Sequence, residues 1–421
     1  MQKVFGLIDS DSFYASCETI FNPKLKGKPV VVLSNSDGCV VARNKEAKSL
    51  QIKMGVPFFE IKHLILKAGL IPCSSNYSLY QDISNRIVQI IARNVPFHEV
   101  YSIDESFVDL TGINDVENVC RRIQHEILKH VGMNVGIGVG PNKTLAKINN
   151  WASKKWKPKT GGVVVILEPE RQNKLLAYAD VGEVWGIGRK ISERLRHMNI
   201  TKAIHLAQFD KSTLRKSFNV NVERTARELG GEVCFSLSEG PETKKSIVSS
   251  KMFGQRVYEL AELRQAVATY TARACSKLRR EQQLAGCIQV FIQSSRYDDN
   301  PYAQTAVLHL EAPSDDTRNF IEAAQNGLTR IYRQGFAYSK AGVQLTHFVD
   351  KAGYMPDLFA KPERRNADRL MGLIDYVNSR SGKGTLRFGT EPVNPVWDSK
   401  RDYLSKCFTT DWDDLIKVKT G

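Results

Sequence analysis

Residues 4–9 read Val-Phe-Gly-Leu-Ile-Asp, an apolar run that stops on a carboxylate, and residues 102–105 read Ser-Ile-Asp-Glu. A short apolar run of the first kind is a buried strand. From it outward, Phe13 to Ile20 has helical spacing, and Pro29 to Leu33 and Cys39 to Ala42 read as short strands. A helix follows over about Tyr77 to Arg93, then a strand pair over about Val100 to Leu110, a helix over about Val116 to His130 and a strand over Asn134 to Gly138. With the stretch Ser10 to Asn76 set aside as an inserted subdomain, the order is β-α-β-β-α-β, the ferredoxin-like pattern. In that pattern the strand ending at Asp9 neighbours the hairpin carrying Asp104, so the two carboxylates can converge. Adjacent residues of a regular strand face opposite ways, so Asp104 and Glu105 serve one site only if the chain bends there. Converging carboxylates on a basic protein call for a cation, and Mg²⁺ suits a few carboxylates, waters and substrate phosphates. Taken alone, Asp11 reads as the N-cap of the next helix.

The chain has 421 residues and a formal net charge of +15, with 60 Lys and Arg against 45 Asp and Glu. That length suggests two to four domains, and the charge points to a polyanionic partner, DNA or RNA first. No window reaches the roughly 18 apolar residues of a membrane span, and Asp9 arrives before a secretory h-region could form. The eight cysteines are scattered, with no C-x-x-C pair and no metal-ligand spacing, which reads as reduced cytosolic thiols. The predicted fold class is α/β (α+β) and multidomain. No internal repeat is visible.

The stretches Asp9-Ser10-Asp11-Ser12-Phe13-Tyr14-Ala15-Ser16-Cys17-Glu18 and Tyr101-Ser102-Ile103-Asp104-Glu105-Ser106-Phe107 resemble the Y-family translesion DNA polymerases. The likeness is closest to the UmuC group, the catalytic subunits of bacterial DNA polymerase V. Residues 27–35 and 37–44, Ser74 to Tyr77, Lys143 to Lys147 and Val184 to Arg189 extend it, so that it runs from about residue 4 to about 350. The resemblance implies a right-hand polymerase: a ferredoxin-like palm (1–10 and 77–167), small fingers (11–76), a helical helix-hairpin-helix thumb (168–235), a linker (236–245), an α/β little finger (246–350) and a C-terminal tail (351–421). By composition that tail reads as loosely ordered, with few periodic segments.

The resemblance also implies roles. Asp9, Asp104 and Glu105 match the catalytic metal-binding acids, and Ser10 a main-chain metal contact, for two Mg²⁺ ions. Tyr14 matches the gate under the incoming sugar, with Phe13 beside it at a position that also suits the core. Lys154 falls where a triphosphate lysine is expected, within a stretch Pro141 to Thr160 that has six lysines and no acid. Lys48 is a second such candidate. Many relatives carry Tyr near Lys45 and Arg at Lys48, so phosphate binding by point charges departs from the pattern. Gly186, Gly188, Arg189 and Lys190 fit backbone contact with DNA, because two glycines ahead of a helix start let amide groups reach phosphates. Lys251, Arg256, Arg273 and Lys277 should grip duplex backbone. In the tail, Leu358 and Phe359 sit where relatives carry a sliding-clamp peptide, without its leading Gln.

The implied activity is error-prone, template-directed nucleotidyl transfer from dNTPs to a primer terminus opposite damaged DNA, in the SOS response. Implied partners are primer-template DNA, a processed UmuD-like dimer, RecA and the sliding clamp, in the bacterial cytoplasm and at the nucleoid after damage. The competing readings are a non-catalytic DNA-binding scaffold of a damage-tolerance complex, which would have lost a metal acid, and a two-metal nuclease, which needs no sugar gate.

Overall fold

A computed structural model describes residues 3–238, 240, 243–355, 357, 364–393, 395, 397–398 and 400–415. The described chain divides into two compact units, residues 1–33, 39–241 and 403–421 forming one and residues 34–38 and 242–402 the other.

The first unit is built on a five-stranded sheet. Its strands are β1 (Phe5–Ser10), β5 (Phe97–Val100), β6 (Glu105–Asp109), β7 (Val135–Gly140) and β8 (Val163–Val165), in the order β5-β6-β1-β7-β8. The three strands between, β2 (Val30–Leu33), β3 (Val40–Arg43) and β4 (Ile71–Ser74), form a separate sheet ordered β3-β2-β4. β1 is antiparallel to both β6 and β7, which is the ferredoxin-like wiring with β8 added at the edge. The strand pair begins at Phe97, earlier than its hydrophobicity suggests, because β5 is only half-buried.

Strand alternation sorts the two faces of the sheet. Ile8 joins the core formed with the helices Tyr77–Asn94 and Val116–Val131, whereas Leu7 and Phe5 pack with Phe107 and Ala146 on the opposite side. That opposite side is covered by the helix Lys143–Lys155, which presses on β7 where glycine leaves room. A Cβ at Gly138 would lie 1.9 Å from the backbone nitrogen of Asn150. The Asn150 amide fixes the contact, donating to the carbonyls of Gly136 (2.7 Å) and Leu7 (3.3 Å). We expect Gly138→Ala to destabilise the chain by about 3 kcal/mol, read from the midpoint of denaturant unfolding. A loss under about 1 kcal/mol would rule out so close a contact.

Short helices from Pro169–Tyr178 to Val220–Leu229 gather around a third core that includes Leu145 and Ile148. The second unit has a four-stranded antiparallel sheet: β9 (Ile247–Val257), β10 (Gln283–Ser294), β11 (Ala303–Ser314) and β12 (Tyr338–Asp350), in the order β11-β10-β12-β9. The helices Leu260–Arg280 and Thr317–Ile331 cover one face. Its elements also follow β-α-β-β-α-β, but the hairpin β10-β11 puts β11 at an edge, so the wiring differs from that of the first sheet.

The tail departs from its expected loose order. Residues Ala367–Arg380 form a helix held to the second unit by Arg279–Asp375 (2.6 Å) and Lys351–Asp368 (2.7 Å). Trp397 is buried against Phe253 and Tyr270, and the described residues after 402 belong to the first unit. The helix buries only Ala367 and Met371 and relies on ion pairs, so it has little apolar periodicity to read. None of the eight cysteines forms a disulfide. Three strands nonetheless bring the ligand atoms of Cys287, His309 and His347 within 4.8 Å of one another, a grouping that spacing along the chain does not show. Among the described residues, no helix is long and apolar enough to cross a membrane.

Candidate active site

The carboxylates meet at one end of the first sheet. Asp9 and Glu105 are cross-strand partners, and Asp9 shares the strand face of Leu7, the face covered by the helix Lys143–Lys155. That helix therefore supplies the counter-charges, seven residues apart on one side: Lys154 Nζ lies 2.6 Å from Asp9, and Lys147 Nζ lies 2.9 Å from Glu105. Asp104 precedes β6, in the bend that sequence reasoning required. There the Ser102 hydroxyl donates to Asp104 Oδ1 (2.6 Å) and accepts from the Glu105 amide (3.1 Å), while the Ser10 amide donates to the Asp104 carbonyl (3.0 Å).

Burial raises the Asp9 carboxyl to about 6, the Lys154 ammonium works against that, and Glu105 and Asp104 push it further up. The sign for stability follows: with its folded value above its ordinary 3.8, ionised Asp9 costs stability as pH rises from about 4 to above 6. In chelator at pH 7, Asp9→Asn should melt higher than the wild type, by the equivalent of roughly 2–3 kcal/mol. The difference should vanish below pH 4; a variant that melts lower at pH 7 refutes it.

Asp9 and Asp104 line a cavity of about 390 Å³, together with Ser10, Phe13, Tyr14, Arg43, Lys48 and Lys154. The same lining carries cations. Burial first, then the nearby Arg43 and Lys154 charges, push the Lys48 ammonium below its ordinary value, while Asp11 and Asp9 work against that. Lys48 Nζ donates to Ser12 Oγ (3.1 Å). Arg43 was missed in the sequence. It ends β3, donates to the Ile52 carbonyl and keeps a buried Nε without a partner among the described residues. Only its place on the same short sheet as the fingers motif hinted at it. Arg43→Ala should raise the KM for dNTP about tenfold with kcat little changed; an unchanged KM in steady-state insertion would remove Arg43 from the anion site.

Asp11 does not cap the helix Phe13–Phe21. Ser12 holds the N-cap position with a left-handed backbone and makes no side-chain cap bond. Asp11 instead pairs with Lys157 and, at 3.8 Å, with Lys154, because Lys154 near the end of the helix Lys143–Lys155 and Lys157 just beyond it outweigh one capping bond. Phe13 is buried yet borders the cavity. Tyr14 stacks on Tyr80 with centroids 4.7 Å apart and planes at 22°. The Tyr80 hydroxyl donates to the buried Glu18 carboxylate (2.6 Å). Neither Tyr80 nor Glu18 stood out in the sequence, where both fit amphipathic helices.

Elsewhere in the first unit, Gly186 has φ +81° and Gly188 is the N-cap of the helix Arg189–His197. Open space surrounds Gly188, and Arg189 is exposed. In the second unit the basic residues are less available than their count suggests: Arg256 pairs with Asp298 (2.9 Å) and Lys251 with Asp398 (3.1 Å). Arg273 and Lys277 line a cavity of about 640 Å³ whose other wall is the tail. Leu358 and Phe359 lie outside the described residues.

The donor set fits a hard divalent cation. Three carboxylates gather at one sheet end, where burial first and then the neighbouring acids drive Asp9 toward protonation, and all the offered ligands are oxygens.

Residues 8–150 match the family model described as the impB/mucB/samB family, residues 244–358 match its C-terminal domain, and residues 368–418 match a domain of unknown function, DUF4113. The chain is 44% identical over 422 residues to Protein UmuC of Salmonella typhimurium, covering 99% of this chain and 100% of the relative. It is 30% identical to a DNA polymerase IV of Oceanobacillus iheyensis, with 91% of each covered. Among solved structures, the Y-family DNA polymerase chimera Dbh-Dpo4-Dbh superposes with a TM-score of 0.67 at 25% identity, over 82% of this chain and 99% of that one. The fold is that of the Y-family polymerases, and the chain belongs to the impB/mucB/samB family.

Proposed function

We propose that this chain is an error-prone translesion DNA polymerase, extending a primer with dNTPs opposite damaged template. One observation carries the reading: a single cavity is lined by Asp9 and Asp104, acids for a cation, and by Arg43, Lys48 and Lys154, cations for a triphosphate, with Lys154 paired to Asp9 in the absence of ligands. Asp9, Asp104, Glu105 and the Ser10 carbonyl would hold two Mg²⁺ ions. Those ions, when bound, lower the pKa of the primer hydroxyl and neutralise charge on the reacting phosphates. Lys48, Lys154 and Arg43 would hold the triphosphate, with Lys154 leaving Asp9 as the cations arrive. Tyr14 would lie beneath the sugar and exclude a 2′-hydroxyl. Gly186, Gly188, Arg189 and Lys190 would contact DNA backbone phosphates through exposed amides and charges. The palm, fingers, thumb and little finger would follow the boundaries read from the sequence.

The scaffold reading is disfavoured because the acids and the cations of the cavity are both retained. We extend the proposal to SOS mutagenesis with a processed UmuD-like dimer, RecA and a sliding clamp, in the cytoplasm and at the nucleoid. The test is primer extension across an abasic site with Mg²⁺ and four dNTPs, with and without those partners. Bypass that needs Mg²⁺ is expected. DNA binding without extension under every condition would restore the scaffold reading.

A further inference from the structure

The segment 403–408 follows the last residues of the second unit and docks on the first. It does so beside the small sheet, where β4 offers an unpaired edge. The Ser74 amide donates to the Tyr403 carbonyl (2.9 Å), the Tyr403 amide donates to Ser74 Oγ (3.1 Å), and Ser74 and Leu404 form a parallel bridge. Two rings anchor it: Tyr403 packs edge-on against Phe58 (5.5 Å), and Phe408 stacks on Phe21 (5.1 Å, 13°).

Between these anchors the segment meets the groups under Tyr14. Asn76, 3% exposed, caps the helix Tyr77–Asn94 with its side-chain carbonyl. Its amide donates to the Ser405 carbonyl (3.2 Å), to Ser405 Oγ (3.1 Å) and to the Lys406 carbonyl (3.2 Å). The Ser405 hydroxyl in turn donates to Glu18 Oε1 (3.1 Å), the same oxygen that accepts from Tyr80 (2.6 Å). Glu18 is 2% exposed. Burial pushes its carboxyl up, and the bonds from Tyr80 and Ser405 pull it back down. A buried carboxylate with few donors is held firmly only while each donor stays in place.

We infer that the tail segment 403–408 is a structural part of the nucleotide pocket, setting the pose of Tyr14 through the chain Ser405–Glu18–Tyr80. This rests on the reading of Tyr14 as the sugar gate. A gate rejects a 2′-hydroxyl only if its ring cannot recede, and the ring behind Tyr14 is Tyr80, whose side chain, among the described residues, hydrogen-bonds only to Glu18. Ser405 is then a positioning residue for sugar selection, supplied from a part of the chain nearly 400 positions from the gate. Selectivity becomes conditional on a docked tail.

The test uses the full-length chain, with its partners where extension needs them, and single-nucleotide insertion of a matched dNTP against the same-base rNTP. Ser405→Ala should lower the dNTP preference about fivefold, part of the roughly tenfold effect of one hydrogen bond to a charged group. The loss should appear in KM with kcat within about twofold, and Ser405→Thr, which keeps the hydroxyl, should restore the preference. In a Tyr14→Ala background, Ser405→Ala should change nothing further. Phe408→Ala, which loosens the docked segment without touching Glu18, should act in the same direction as Ser405→Ala. If Tyr14→Ala loses selection while Ser405→Ala and Phe408→Ala keep it, the tail inference is overturned and the gate stands. An additive loss in the double variant overturns the route through Tyr14. Unchanged selection in Tyr14→Ala overturns the gate and the inference with it.

Discussion

Asp104→Ala should abolish primer extension, by at least about a thousandfold in kcat, while primer-template affinity stays within about threefold. The two effects separate because they rest on different groups. Asp104 borders the cavity, and among the described residues its carboxylate accepts a hydrogen bond only from Ser102, so its removal would take one ligand from the proposed cation site. In the proposed function DNA affinity would come from phosphate contacts spread over exposed basic residues and helix N-termini, such as Arg189 beside Gly188. The main-chain bond from the Ser10 amide to the Asp104 carbonyl survives the substitution, so the sheet end keeps its shape. A gel-shift titration beside an extension assay reads both quantities. Equal loss of binding and extension would assign Asp104 a structural role.

The second large effect concerns the sugar. Tyr14→Ala should reduce discrimination against ribonucleotides roughly a hundredfold, with dNTP insertion retained. Tyr14 borders the cavity that Asp9 and Asp104 share, and Tyr80, wholly buried, forms a wall behind it. Exclusion by a wall needs no attractive contact with the correct substrate, so its removal admits the wrong sugar without expelling the right one. Single-nucleotide insertion with dNTP and rNTP pairs measures the ratio. If the ratio stays at the wild-type value, Tyr14 is a core aromatic and Phe13, which also borders the cavity, becomes the residue to test.

The Asp9→Asn expectation runs against ordinary intuition, since replacing an acid proposed to hold the metal should stabilise the metal-free chain at neutral pH. The cause is local. Burial of the Asp9 carboxyl is the larger part, the neighbouring Glu105 and Asp104 charges add to it, and Lys154 only partly offsets them. A site organised for binding carries such a cost in its empty form.

By itself, the sequence determined the β-α-β-β-α-β order of the first sheet, the convergence of Asp9 with Asp104 and Glu105, and the cationic character of the pocket. These are legible because strands and helices announce themselves by local period and because strand adjacency follows from element order. Tertiary structure alone decided which cations face which acids. Lys147 and Lys154 reach Glu105 and Asp9 because Gly138 lets their helix lie against β7, and Arg43 joins Lys48 through the fold of a separate small sheet. Asp11 read as a cap in isolation and proved to be an ion-pair partner of Lys157 and Lys154, a pairing created by residues about 145 positions away. The tail was least legible of all. Its helix is held by ion pairs, and its last described segment by hydrogen bonds and single aromatic contacts to Ser74, Asn76, Glu18 and Phe21. Interactions of that kind leave no periodic trace, because each depends on a partner distant in the chain and not on the spacing of neighbours.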